Sequence, residues 1–252
     1  FTDDLYFLDL SADRHGRIWA ATDKGIFVAD PQGKIIVRFA DKISTASFIN
    51  NAKDTITLST DKGLYYFFPG TTPSVSRSQP YPFIRGFLQV NDKQWIGTPF
   101  GLYLTEKGLG STEMHVFSGS NKLSGKPVFD LSFIENCIWV ATENGIERYS
   151  IQGQKMPAIK CMDELENEVV YSIHSDSLKR IWFSSNKGIG CISASGDRII
   201  WFNQRNNLQS LEFNTNASLK TTDGMIYFGG IKGVNGINPQ SFKPEKLTPE
   251  VQ

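Results

Sequence analysis

The sequence predicts an all-β chain, a β-propeller of four-stranded antiparallel blades, and three observations carry that prediction. One short pattern occurs six times: IWAATDKGI (18–26), ITLSTDKGL (56–64), QWIGTPFGL (94–102), IWVATENGI (138–146), IWFSSNKGI (181–189) and IYFGGIKGV (226–234). Its shared glycines, Gly25, Gly63, Gly101, Gly145, Gly188 and Gly233, are separated by 38, 38, 44, 43 and 45 residues. Two positions ahead of each glycine hold a fixed type of side chain. Six before stand Trp19, Thr57, Trp95, Trp139, Trp182 and Tyr227; four before, always small, stand Ala21, Ser59, Gly97, Ala141, Ser184 and Gly229. A period near 40 built of strand-like segments marks radial repetition, and meanders of that length are propeller blades.

Within a repeat the first element is an inner strand, as in LYFLDLS, FLQV, VFDLSFI and VVYSIHS. A turn follows: DRHGR (13–17), NDK (91–93), DSLKR (176–180) or TDG (222–224), all rich in residues that fold back on their own backbone. The second strand is the repeated motif itself, apolar at alternate places. Its hairpin turn, Asp-Lys-Gly twice and Asn-Lys-Gly or Glu-Asn-Gly elsewhere, ends on the glycine that such turns require. A third strand resumes behind it. An outer fourth strand is expected in KIIVRF (34–39) and RIIWF (198–202). The small residue four before the glycine suits close approach of neighbouring blades. The aromatic residue two places earlier lies on the same strand face and fills the space between blades. The tryptophans are therefore core rather than site.

Composition narrows the function classes. The chain carries 26 basic and 26 acidic residues in 252, so no broad attraction to nucleic acid or membrane surfaces is implied. No apolar run approaches the roughly 18 residues of a spanning helix. Three scattered cysteines form no CxxC pair and no zinc spacing, and are expected as buried free thiols. His15, His115 and His174 fall at unrelated places in their repeats, and no HExxH or GxSxG motif occurs. The acidic stretch Asp163, Glu164, Glu166, Glu168 lacks the spacing of a calcium loop and reads as a solvated connection between blades. Neither cofactor nor metal is expected, and the chain itself is expected to be no enzyme.

The copies resemble the two-component-regulator propeller repeat, of the form lWvgT-x-x-GL behind a D-x-x-G turn. Asp13, Gly16, Ile18, Trp19, Thr22, Gly25 and Ile26 carry the resemblance in the first copy; Ile138, Trp139, Thr142, Gly145 and Ile146 carry it in the fourth. The stretch NNLQSLEFNTNASLKTTDGMIYFGGIKGVNGINPQSFKP (206–244) resembles the closing blade of the sensor region in hybrid two-component systems of Bacteroides-type bacteria. Thr57, Gln94 and Phe100 depart from the repeat pattern. Propellers of that family commonly have seven blades where six copies stand here, so the ring closes with six or takes a blade from upstream.

The resemblance implies a propeller over 1–240, followed by a linker (241–252) toward an immunoglobulin-like domain. It implies a periplasmic ligand sensor that detects or relays a glycan-derived oligosaccharide, neutral or acidic, to a cytoplasmic histidine kinase elsewhere in a homodimeric parent protein. The adjacent propeller and the immunoglobulin-like domain would be its partners in the same chain, and this segment would bind no nucleic acid. A propeller enzyme such as a polysaccharide or lactone lyase, or a scaffold without a ligand, are the alternatives.

Candidate ligand residues come from turns and connections. In a propeller the turn between second and third strands shares a face with the blade-to-blade connections. Lys24, Lys62, Lys187 and Lys232 would then form part of a ring suited to carboxylate or sulfate, with Asn144 and Phe100 in the equivalent places. The connection QPYPFIRGF (79–87) adds Tyr81, Phe83 and Arg85, and NQRNNLQSLEF (203–213) adds Arg205 and Asn206; connecting loops are where propellers carry binding residues.

Overall fold

The computed structural model describes residues 6–39, 43–44, 46–50, 56–68, 74–77, 83–105 and 122–242. Six antiparallel sheets follow one another, each a meander in strict sequence order. Blade 1 is β1 (Phe7–Ala12), β2 (Ile18–Thr22), β3 (Gly25–Ala29) and β4 (Ile35–Phe39). Blade 2 is β5 (Ala46–Asn50), β6 (Ile56–Thr60), β7 (Gly63–Phe68) and β8 (Ser74–Arg77). Blade 3 is β9 (Gly86–Val90), β10 (Lys93–Thr98), β11 (Gly101–Thr105) and β12 (Lys122–Ser124). Blade 4 is β13 (Val128–Ile134), β14 (Cys137–Thr142) and β15 (Gly145–Ser150). Blade 5 is β16 (Val170–Ser175), β17 (Ile181–Ser185), β18 (Gly188–Ile192) and β19 (Ile199–Phe202). Blade 6 is β20 (Phe213–Lys220), β21 (Ile226–Gly230) and β22 (Gly233–Ile237).

The propeller expectation holds, with one correction: among the described residues blades 4 and 6 have three strands, not four. Behind β15 the outer strand is reduced to a single bridge between Tyr149 and Lys155. Pro157 then removes a ladder donor, and the chain coils into a 3-10 helix, Lys160–Leu165, that buries Cys161, Met162 and Leu165. The acidic stretch is thus anchored by its apolar residues, with Asp163 and Glu164 facing water. Behind β22 the residue Pro239 plays the same terminating part.

The hairpin between second and third strands is fixed by a device the glycine pattern only half discloses. Thr22 Oγ1 donates to the Gly25 carbonyl at 2.8 Å and accepts the Lys24 N–H at 3.2 Å. Thr60, Thr98, Thr142 and Ser185 repeat both bonds. The glycine is needed for conformation and for space together. Gly188 has φ 119°, and a Cβ there would lie 2.3 Å from the Phe202 carbonyl oxygen. In blade 6 the hydroxyl is replaced by Gly230. A Cβ at that position would stand 2.1 Å from Gln209 Nε2, and Gln209 Oε1 instead takes the turn N–H of Lys232 at 2.7 Å.

Apolar burial lies between the sheets, in five clusters that each join two successive blades. Trp19, Trp95 and Trp182 are fully buried and Trp139 nearly so. Two of them meet a ring of the next blade: Trp19 meets Phe67 at 5.0 Å and Trp95 meets Tyr149 at 6.1 Å. The small position does what its size predicts at blade 3, where a Cβ on Gly97 would fall 2.4 Å from Val128 Cγ1 of blade 4. Cys137, Cys161 and Cys191 are free and buried in this core.

The interfaces run from blade 1 to blade 6, and among the described residues no strand of the last sheet packs closely on a strand of the first. Side chains that are buried in the middle blades accordingly stand open at the two ends. Val234 is 65% exposed where Ile26, Leu64, Leu102 and Ile189 are 0%, and Ile18 is 43% exposed where Ile138 is 0%.

The lower turns hold a second polar device. The Asp176 carboxylate accepts the Leu178 and Arg180 N–H groups (2.8 and 3.0 Å), Arg180 Nε (2.6 Å) and Trp182 Nε1 (2.8 Å). Asp13 does the same for His15, Arg17 and Trp19. Burial alone would raise the Asp176 pKa, but the bonds from Trp182 and Arg180 outweigh it and hold the carboxyl below its ordinary range. Arg180 then donates to the Phe242 carbonyl (3.1 Å) and the Pro239 carbonyl (2.5 Å). The Phe242 ring packs edge-on against Trp182 and Phe202, at 5.5 and 5.2 Å. Residues 239–242, the last described, therefore strap the chain that leaves blade 6 onto blade 5.

Candidate ligand site at the upper end of the axis

Each blade's inner strand runs from the upper face down, so the β2–β3 type of turn and the blade-to-blade connections share the upper face. Lys24, Lys62, Lys187, Lys232, Phe83, Arg85, Arg205 and Asn206 all fall on it. Tyr81 lies outside the described residues, as do His115 and the expected linker beyond Phe242.

Sharing a face does not make these residues alike. Lys24 and Lys232 are exposed and held by their backbone N–H groups. Lys187 is already matched: its ammonium sits 3.1 Å from Glu168 Oε1 and 5.5 Å over the Trp201 ring. The Asn206 carboxamide oxygen accepts the Asn203 N–H at 3.1 Å, while Asn203 Oδ1 takes the Arg205 N–H at 2.9 Å. The pair caps a one-turn helix, Gln204–Asn206, and Arg205 stands exposed on it. Phe83 is half-buried.

Arg85 is different. Its N–H is bonded to the Gly97 carbonyl at 2.9 Å and its own carbonyl accepts Ser47 Oγ at 3.2 Å, so its backbone is tied to blades 2 and 3. The guanidinium carbon lies 4.7 Å over the Phe129 ring of blade 4. Phe129 in turn meets Tyr171 of blade 5 edge-on at 5.6 Å. The half-buried guanidinium has neither carboxylate nor hydrogen-bond acceptor among the described residues. Burial pulls its pKa below the ordinary arginine value.

Phe129 and Tyr171 were not legible as site residues, and the reason is a bulge. The inner-strand register skips between Val128 and Asp130 and between Val170 and Ser172. It does so in blade 1 between Phe7 and Asp9, and over a longer stretch in blade 6 between Phe213 and Ser218. A bulge leaves one residue out of the ladder and re-aims its side chain. The extra residues are Leu8, Phe129, Tyr171 and, in blade 6, 214–217, where Asn216 takes φ 59°. The Tyr171 hydroxyl and the Asn216 carboxamide have no partner among the described residues. The arrangement offers a cation, an aromatic row and two unspent polar groups at one level of the inner strands.

Beneath that level the acids are occupied. Asp130 accepts the Leu131 N–H at 2.7 Å and, across the interface, the Ile173 N–H of blade 5 at 2.8 Å. Asp9 repeats the device with Leu10 and with Phe48 of blade 2, at 2.8 and 2.7 Å. Burial pushes Asp130 up to about 7 and Asp9 up to about 6, against the pull of these backbone bonds. The shared F-L-D-L-S and V-F-D-L-S runs (7–11 and 128–132) were the available signal for this staple. His174 lies within 2.9 Å of Ser218 Oγ in blade 6, and burial lowers its pKa to about 4. It is therefore neutral at physiological pH.

No family model matches the chain. It is 26% identical over 170 residues to histidine kinase P4 of Formosa agariphila, covering 66% of this chain and 12% of that protein. Among solved structures it is similar to the extracellular domain of the putative hybrid two-component system BT3049 from B. thetaiotaomicron. That match has a TM-score of 0.62 and 18% identity, over 100% of this chain and 43% of the other. The extracellular domain of the putative hybrid two-component system BT4673 from the same organism matches with TM-score 0.65 and 17% identity, over 96% and 33%. The chain thus has the propeller fold of these extracellular domains and spans a minor part of each relative.

Proposed function

We propose that this chain is the ligand-sensing propeller in the periplasmic part of a hybrid two-component system. It detects, or relays from an adjacent propeller, a glycan-derived oligosaccharide whose presence is passed to a cytoplasmic kinase. One observation carries the binding half of the proposal: half-buried Arg85, without an acceptor among the described residues, lies over Phe129, whose ring in turn meets Tyr171. Sugar rings are apolar on their faces and hydroxylated at their edges, and such a mixture of ring and polar groups suits both. The likeness to a histidine kinase and to two extracellular sensor domains supports the signalling half.

Two partners in the same chain, an adjacent propeller and an immunoglobulin-like domain, and a homodimeric parent belong to this proposal. The strap at residues 239–242 is its route of relay, because it ties the chain leaving the propeller to blade 5. Calorimetric titration with a panel of neutral and acidic oligosaccharides, with each sugar assayed for cleavage, tests it. Binding without turnover that weakens in Arg85→Ala and Tyr171→Ala is the expected result. Turnover of any sugar would make the chain a propeller enzyme instead. Silence of the panel toward a correctly folded chain would remove direct detection.

A further inference from the structure

We infer that Arg85 is the seat of an anionic group, so that the oligosaccharide proposed above carries a carboxylate or a sulfate ester at the unit bound there. This rests on the sensing proposal and specifies its ligand.

The argument begins with what the guanidinium is already doing. Its guanidinium carbon lies 4.7 Å from the centre of the Phe129 ring. None of its five N–H groups meets an acceptor among the described residues. The ring contact restrains the side chain, so its fork of donors loses less freedom when a planar or tetrahedral oxyanion arrives.

Several other charges among the described residues are compensated, although Arg148 too lacks a carboxylate, resting on the Trp139 ring at 4.9 Å with the Pro157 carbonyl at 3.5 Å. Glu147 is matched by Lys155 at 2.8 Å and Lys126 at 3.3 Å, Arg180 by Asp176 at 2.6 Å, and Lys187 by Glu168 at 3.1 Å. The acid that could have served Arg85, Asp130 of the adjoining blade, spends one oxygen on each of two backbone N–H groups. A half-buried cation without a counter-charge is costly in the free protein. An incoming oxyanion repays that cost, whereas a neutral hydroxyl supplies only a fraction of it. The lysines of the upper turns do not substitute. Lys62 and Lys187 already have interactions of their own, and Lys24 and Lys232 are exposed, where screening leaves a charge contact little energy.

The test is calorimetry on the whole chain with three probes of one length class: tetragalacturonate, a sulfated chondroitin tetrasaccharide and neutral cellotetraose. At least one anionic probe is expected to bind, with an affinity that falls as salt is raised. The galacturonate and chondroitin arms decide between carboxylate and sulfate. In Arg85→Gln the affinity for that probe should fall about tenfold to a hundredfold, the size of a lost charge-assisted hydrogen-bond pair. Arg85→Lys keeps the charge without the planar fork and should fall in between. Thermal melting of both variants, expected close to the parent, keeps a folding defect from imitating the result. Binding of cellotetraose alone would overturn the anion inference and leave the sensing proposal standing. Binding of an anionic probe that is indifferent to both substitutions would overturn Arg85 as its seat. Silence toward all three would count against the sensing proposal and this inference together.

Discussion

The two ends of the propeller treat polar groups in opposite ways. At the lower end, Asp176 and Arg180 are consumed by their surroundings: one carboxylate takes four donors, and the arginine that supplies two of them also closes on two downstream carbonyls. At the upper end, Arg85, Tyr171 and Asn216 have side-chain polar atoms that meet no partner among the described residues. A protein that only needed to fold would gain by spending both sets. The lower end is tied down, and the upper end holds the groups that the proposed ligand would use.

The sharpest way to break this contrast is to remove one charge from each end. Asp176→Ala leaves a buried guanidinium without its partner and strips Trp182 Nε1 of its acceptor. Loss of about 3–5 kcal/mol of unfolding free energy is expected in urea titration. Arg85→Gln removes a charge that has no partner among the described residues, so its stability should fall by less than about 0.5 kcal/mol, if at all. Equal losses in the two variants would dissolve the distinction.

Within the lower end, blades 3 and 5 offer a finer test. The two-residue turn at 91–92 brings no carboxylate to Trp95, whose buried Nε1 has no partner among the described residues. Trp95→Phe and Trp182→Phe delete the same atoms from equivalent sites, but only the second removes a hydrogen bond to a carboxylate oxygen, which keeps its bond from Arg180 Nε. The blade 5 variant should be the less stable of the two by about 1–2 kcal/mol. Matching denaturation midpoints would show that the Asp176–Trp182 bond carries no net stability.

Protonation sharpens the comparison further. Asp130, raised to about 7, and Asp9, raised to about 6, hold protons in the fold that the unfolded chain releases above its ordinary carboxylate pKa. Their contribution therefore grows as pH falls from 7 toward 4 and is lost as pH rises through the folded values. Asp176, whose pKa is depressed, acts with the opposite sign: its stabilisation is present above the unfolded carboxylate pKa and fades as pH drops below it. Melting temperatures between pH 4.5 and 7.5 should decline with rising pH, less steeply in Asp130→Asn. A slope untouched by that substitution would rule out Asp130 as its source. The smallest effect belongs to the exposed pair on the upper face: Lys187→Ala should cost no more than about 0.5 kcal/mol.

Much of the fold was legible because it is periodic. A glycine, a small residue and an aromatic recurring in register determine blade number, interface and hairpin, and the structure follows them even at Gly97 and Val128. What escaped was whatever breaks the period. Phe129 and Tyr171 sit in runs that alternate like ordinary strands, and only the pairing of Val128 with Thr142 and Asp130 with Ala141 shows that one residue is left over. Among the described residues, the outer strand of blade 4 gives way at Pro157 to a 3-10 helix that its strand-like neighbours do not announce. Lys187 and Asn206 looked available because a sequence shows which groups are polar but not which are occupied. Glu168, nineteen positions upstream of Lys187, and Asn203, beside its own turn, had already claimed them.

The strap across blade 5 bears on the order in which the molecule is made. Arg180 finds its last two acceptors 59 and 62 residues further along the chain, so a nascent polypeptide emerging from the ribosome carries an unfinished fifth blade until the sixth has been translated. Each of the first five blades buries a face on the next, and the fifth needs in addition the Pro239 and Phe242 carbonyls and the Phe242 ring beside Trp182. A chain cut short of Phe242 would leave Arg180 and Trp182 open on that side.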